Sequence, residues 1–312
     1  MIATTPAVHR LAVVAAVAVL AATAPRSLRL HHCPRHGGGA PRSTAPVPAQ
    51  VAELRAADQV HEPAPATIVV LDPGAGPRAP IRYHPRPGSR TRFALTLQDR
   101  GRPPRVITGT AELRRVDRDG AFLLATVVDG AKPDHLDLAG LAVDTLFEAT
   151  GAIRSIEIRA PRSAARSLIE RVAFAVSALE QLPDEPVAVG ARWQATALLP
   201  GGDGAPVART QTTTLVAVAG PGVELRSTTL DSAGGTASTE RGTALRPVAL
   251  RARGEVHRSV ALDTLIGTDA SWRMGERTLA DGSASHREPL DDRVDLTRSR
   301  AAEPGACTEG SD

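Results

Sequence analysis

Residues 163–193, SAARSLIERVAFAVSALEQLPDEPVAVGARW, decide how this chain is built. In the first part Ala165, Leu168, Ile169, Val172, Val176 and Leu179 recur at i, i+3, i+4 and i+7, the spacing of one apolar helix face, while Arg166, Glu170, Arg171 and Glu180 fall largely on other faces. Ser163 or Ser167 is placed to cap the helix, Glu170 completes a capping box with Ser167, and Pro183 stops it. The pattern predicts a helix over 163–182, roughly 27 Å long, enough to lie across a sheet. In the second part, LPDEPVAVGARW, Pro183 and Pro186 extend the backbone, Gly190 permits a tight reversal, and Trp193 offers a large apolar surface that can plug a sheet end.

On both sides of the helix the hydrophobic period drops to two. In TRFALTLQ, Phe93, Leu95 and Leu97 share one face and Arg92, Thr96 and Gln98 the other, as in a half-buried antiparallel strand. Asp119-Gly120 separates VITGTAELRRVD from AFLLATVVDG, a hairpin signal because glycine supplies the positive φ of a tight turn. Strands are also predicted at TIVVLD, 144–149 and 153–158, the last two joined through Thr150-Gly151. After the helix they are predicted at 192–199, 207–218, 223–230, 243–251, 255–263 and 269–278, with Gly220-Pro221-Gly222 as a turn. In GEVHRSVALD, Val256, Val260 and Leu262 share a face with Arg258, and His257 points away. Five or six strands flank the helix on each side, a hint of duplicated halves.

Composition bounds the function. A chain of 312 residues with 42% hydrophobic content can bury a real core. Only 2% is aromatic, which argues against base-stacking platforms and sugar-binding shelves. The 37 bases and 34 acids are interspersed, so a mixed solvated surface is expected and no nucleic-acid partner. Lys132 is the only lysine, a bias that fits GC-rich coding better than an arginine-specific role.

The uncharged run LAVVAAVAVLAATA, 11–24, follows His9 and Arg10 and is shorter than the roughly 20 residues of a membrane-spanning helix. It reads as the h-region of a signal peptide, so export to the periplasm or cell surface is expected, without a stable transmembrane span. The predicted organisation is a signal peptide at 1–24, a Pro/Ala/Arg-rich flexible linker at 25–66, an antiparallel β domain at 67–285 and a disordered tail at 286–312. Cys33 sits far beyond the apolar run after His31 and His32, unlike a lipidation site. With His36 these residues crowd possible ligands into a linker that gives them no preformed geometry. Cys33 and Cys307 both lie outside the expected fold, so a bond between them would tie the tails together and leave the core unbraced.

The passage LPDEPVAVGARW resembles a motif of uncharacterised exported or lipid-anchored bacterial envelope proteins, through Leu182, Pro183, Pro186, Val187, Val189, Gly190 and Trp193. That resemblance implies a long antiparallel sheet curled around a helix over about residues 90–280, distantly similar to lipoprotein-carrier half-barrels. This chain departs from it in lacking a lipobox and concave-face aromatics.

No H-E-x-x-H, C-x-x-C, G-x-S-x-G, Walker or dinucleotide motif in strand-to-helix context is present. His135 with Asp134 and Asp137 is the best local acid–base cluster, of a kind common in polar loops; Asp184-Glu185 between prolines reads as a solvated loop. The expectation is a mainly β protein: a long curved antiparallel sheet or half-barrel with one packed helix between two sets of strands. It is expected to be non-enzymatic, with no cofactor, metal or catalytic residue. Its expected role is binding or scaffolding at the envelope, with another envelope protein, a lipid or an apolar ligand as partner. A ligand groove would be lined by Leu168, Val172, Val176 and Leu179. The competing readings are a structural module with a filled sheet–helix interface, and a hydrolase whose cleft gathers His135, His257 or His286 with acids.

Overall fold

A computed structural model describes residues 59–64, 66–133, 136–161, 164–199, 206–239, 242–281 and 284–301. Seven strands precede the helix: β1 (Gln59–His61), β2 (Thr67–Asp72), β3 (Arg90–Asp99), β4 (Arg105–Val116), β5 (Phe122–Lys132), β6 (Ala142–Phe147) and β7 (Ile153–Arg159). The helix α1 (Arg166–Val176) is followed by β8 (Arg192–Leu199), β9 (Val207–Ala219), β10 (Gly222–Thr239), β11 (Gly242–Ala261), β12 (Gly267–Asp281) and β13 (Ala284–Arg300). All thirteen strands form one unclosed sheet in the order β1-β7-β6-β5-β4-β3-β13-β12-β11-β10-β9-β8-β2. Every neighbouring pair is antiparallel. Two meanders, β3–β7 and β8–β13, are joined where β13 pairs with β3.

The two edges of this sheet are sequence neighbours. β1 ends at His61 and β2 starts at Thr67, so six residue steps hold opposite edges within about 22 Å. The sheet is therefore curled. One apolar core accordingly takes Leu113, Phe122 and Phe147 from the first meander and Trp193, Leu215, Leu225 and Val260 from the second. A second core sets Ile169, Val172, Ala173 and Val176 of α1 against Phe93, Leu95, Ile107, Val143, Ile156 and Leu296. Period-two burial drives this: in β3, Thr91, Phe93, Leu95 and Leu97 point inward and their neighbours outward.

Several expectations are corrected. The helix is 11 residues long, about 16 Å, and not the span 163–182. Its N-cap is Ala165, extended and without a side-chain cap bond, so the Ser167–Glu170 box does not form; Glu170 instead pairs with Arg166 at 2.8 Å. The helix ends six residues early; Arg298 Nη2 donates to the Val176 carbonyl at 2.7 Å, and the non-helical segment beyond places Leu179 and Glu180 against the second meander. Residues 286–300, expected as tail, belong to β13 (Ala284–Arg300), a central strand. β1 lies in the segment expected as linker, and the two strands expected at 243–251 and 255–263 are one, β11. The leader, Cys33, Cys307, His135 and Ser163 lie outside the described residues.

The LPDEPVAVGARW passage crosses one end of the curled sheet. Leu182 N–H donates to the Thr150 carbonyl at 2.8 Å, Ala79 and Val187 exchange a pair of bonds at 3.1 Å, and Gly190 N–H donates to the Leu215 carbonyl at 2.8 Å. Pro183 is buried with its carbonyl accepting from Arg82 Nη1 at 2.7 Å, whereas Pro186 is exposed. Gly190 has φ +86° and open space where a Cβ would stand. Gly190→Ala therefore meets conformational strain without a clash, and a loss of about 1–2 kcal/mol is expected in urea unfolding.

Candidate functional site

Where the helix exit meets the second meander, a polar cluster is enclosed. Glu180 is 2% exposed and its carboxyl is held from three sides. Gln211 Nε2 donates to both oxygens at 2.9 and 2.7 Å, Thr213 Oγ1 donates at 2.6 Å, and Arg258 Nη1 stands 3.4 Å away. Arg258 also donates to Asp269 Oδ2, through Nε at 3.0 Å and through Nη2. Tyr83 Oη donates to the Glu180 carbonyl at 3.1 Å, and Thr213 shares a hydrogen bond with Ser227 at 2.9 Å. Arg298, 7% exposed, completes the group.

The register explains the meeting. Thr213, Ser227 and Arg258 occupy inward positions of β9, β10 and β11, in the rows that also present Leu215, Leu225 and Val260. Asp269 is opposite Arg258 in the β11–β12 ladder and opposite Leu296 in the β12–β13 ladder. Burial pushes the Glu180 carboxyl up, and the Arg258 charge and the Thr213 and Gln211 hydrogen bonds offset this only in part, so it stays raised. Burial pulls the Arg298 guanidinium down to about 10, against the attraction of Asp269. Burial likewise raises the Tyr83 phenol. For Arg258 the carboxylates of Asp269 and Glu180 outweigh burial and hold the guanidinium charged.

A second ladder of charge runs along the same inner face. Arg209 donates to both oxygens of Asp231 at 2.8 Å, and Arg273 donates to Asp231 at 3.1 Å and to Asp292 at 2.7 Å. Arg273 on β12 reaches β10 across β11, where Gly254 lies directly beside it; a Cβ there would stand 2.5 Å from the Trp272 carbonyl oxygen. Burial raises the Asp231 carboxyl, but Arg209 and Arg273 overcome it and hold the group below its ordinary range. Because the folded value lies below the unfolded one, this contribution is complete above about pH 4 and is lost as pH falls through the folded value. Asp231→Asn is expected to be less stable at neutral pH and to lose stability less steeply on acidification, measured by urea unfolding from pH 7 to 2.

Of the residues expected to line a ligand groove, Val172 and Val176 are 0% and 2% exposed in the helix–sheet core. Leu168 packs against that core and Leu179 against the other. Leu179 also borders a cavity of about 10 Å³, with Arg258, Leu265, Thr268, Asp269 and Arg298 around it. Such a volume holds about one water-sized particle. Trp193 is fully buried, its Nε1 donating to the Gln181 carbonyl at 3.1 Å. His257 and His286 are on exposed strand positions, 3.8 Å from Glu255 and Glu288, and are not brought together. Among the described residues no group of three or more His, Cys, Asp or Glu is placed to hold a metal, and no helix is long and apolar enough to cross a membrane.

Sequence reasoning placed Arg258 on the apolar face of its strand but missed its partners. The usable signal was polarity at inward positions: Arg258 beside Val256 and Val260, and Arg298 two residues after Leu296. No family model, curated protein or solved structure matches this chain.

Proposed function

We propose that this protein is a non-enzymatic, exported envelope protein that works as a scaffold, binding partners through its outer surface and not by holding an apolar ligand between helix and sheet. The observation that carries this reading is how the helix packs: Val172 and Val176 are 0% and 2% exposed against Phe93, Leu95, Ile107 and Ile156 of the sheet, and the pocket beside Leu179, outside α1, has about 10 Å³ of free volume. Carriers of apolar ligands need pockets of roughly 300–1,000 Å³. Export rests on the apolar run at 11–24. The outward side chains of the second meander offer a partner mixed chemistry. Trp272, Met274 and Leu230 are 39%, 54% and 53% exposed, with Arg253 between Met274 and Leu230 in the ladder.

Native mass spectrometry of protein purified from the envelope fraction of its own host, set against the denatured mass, tests the reading. The scaffold reading expects the native mass of each polypeptide to match its denatured mass. A lipid-sized excess lost on denaturation would favour the half-barrel carrier instead, and recovery only from the cytosol would overturn export.

A further inference from the structure

We propose that the outer face of β12, with the adjoining faces of β11 and β13, docks a second copy of this chain about a two-fold axis that runs along β12. This deepens, and rests on, the reading that partners bind the outer surface of the second meander. The ladder register sets the pattern. Trp272 lies opposite Glu255 on β11 and Arg293 on β13, and Met274 lies opposite Arg253 and Asp291. All six are exposed. Each row across the three strands therefore reads charge, apolar group, opposite charge, and the order of signs reverses from one row to the next. The row on the far side of Trp272 is His257, Ala270 and Asp295.

Such a face is complementary to itself. A two-fold axis along β12 sets the β11 side of one copy against the β13 side of the other and keeps every residue in its own row. Glu255 then faces Arg293 of the second copy, Arg253 faces Asp291 of the second copy, and His257 faces Asp295 of the second copy, each contact made twice. Trp272 and Met274 lie on the axis and meet their own counterparts, an apolar centre between charged flanks. An axis running across the strands also matches the two inner rows, but it sets His257 against Arg251, whereas the axis along β12 matches all three. The interspersed signs give a surface of one charge, such as an anionic membrane, nothing to follow. One row beyond Met274, Glu276 would face its own copy, which ends the patch there. Three strands about 4.8 Å apart and four rows about 6.8 Å apart, Thr268 to Met274, cover roughly 400 Å² per partner, about half the standard interface, so the dimer is weak and reversible.

Sedimentation equilibrium of the full chain from micromolar to millimolar concentration tests this. A monomer–dimer equilibrium is expected. Arg253→Glu and Asp291→Arg should each weaken it about tenfold or more, because like charges then meet across the axis. The double variant restores opposite charges in both contacts and should recover the dissociation constant to within about threefold. Both side chains are exposed and make no ion pair or hydrogen bond with the described residues, so the fold tolerates the exchange; Glu255→Arg with Arg293→Glu is the second pair. A monomer at every concentration would overturn the proposal while leaving the outer face to another partner. Dimerisation that ignores the single variants, or a double variant no better than either single one, would also overturn it, by placing the contact elsewhere or about another axis. Failure of the scaffold reading itself registers separately, as a lipid-sized mass excess in native mass spectrometry, which self-association does not produce.

Discussion

Arg258→Ala is expected to destabilise the protein by about 3–5 kcal/mol, the penalty for leaving buried charge uncompensated. Arg258 stands between Asp269 and Glu180, and its own side chain is 9% exposed. Removing it leaves the Asp269 carboxylate without its guanidinium and returns Glu180 to the full effect of burial. The second partner makes the cause testable. Glu180→Gln keeps a carbonyl acceptor for Thr213 while removing the charge, so its cost is smaller. In the double variant the two losses are expected to be less than additive, with coupling of about 0.5–3 kcal/mol. Urea unfolding of the four proteins measures this; strict additivity would mean that the two residues do not act as a pair.

Trp193→Ala is the other large loss, about 3–5 kcal/mol, or a Tm lower by roughly 6–20 °C for a domain of this size. Trp193 is 0% exposed, at the start of β8, within the core shared by both meanders. Its indole N–H satisfies the Gln181 carbonyl just beyond the helix exit. Truncation therefore opens a cavity and frees a part-buried acceptor together. Trp193→Phe should recover most of the packing but not the hydrogen bond. Trp272→Ala supplies the contrast: on an outward β12 position, 39% exposed, it is expected to change stability by no more than about 0.5 kcal/mol.

Much of the fold was legible because strands advertise a half-buried face. The strand predicted at 192–199 coincides with β8, and the turns at Gly120, Gly151 and Gly220 have φ of +82°, +87° and +56°. The helix end was not legible. Leu179 and Leu182 continue the apolar spacing, yet they are packed by a non-helical segment that follows the Val176 carbonyl, which Arg298 caps from 122 residues away. β13 was hidden because its inward side chains include Asp292 and Arg298, which are matched by Arg273 and Val176 from elsewhere in the chain. Long-range polar pairing leaves no local periodicity, and the same reason concealed the Glu180 cluster: its carboxyl reads as one more polar residue on a helix until β9 and β11 supply its partners. The extension of β10 beyond its predicted end at 230 follows the same pattern, since Asp231 is inward and paired with Arg209.

The proposed function requires the helix and its exit segment to be a locked part of the core and not a lid over a ligand site. Native-state hydrogen exchange of the backbone amides tests it most directly. The prediction is that amides of Val172–Ser177 and Leu182 exchange with the same opening free energy as those of β9–β11, because all require global unfolding. Exchange of the helix and its exit through a separate opening several kcal/mol cheaper, with β9–β11 still protected, would contradict the claim and restore the carrier reading.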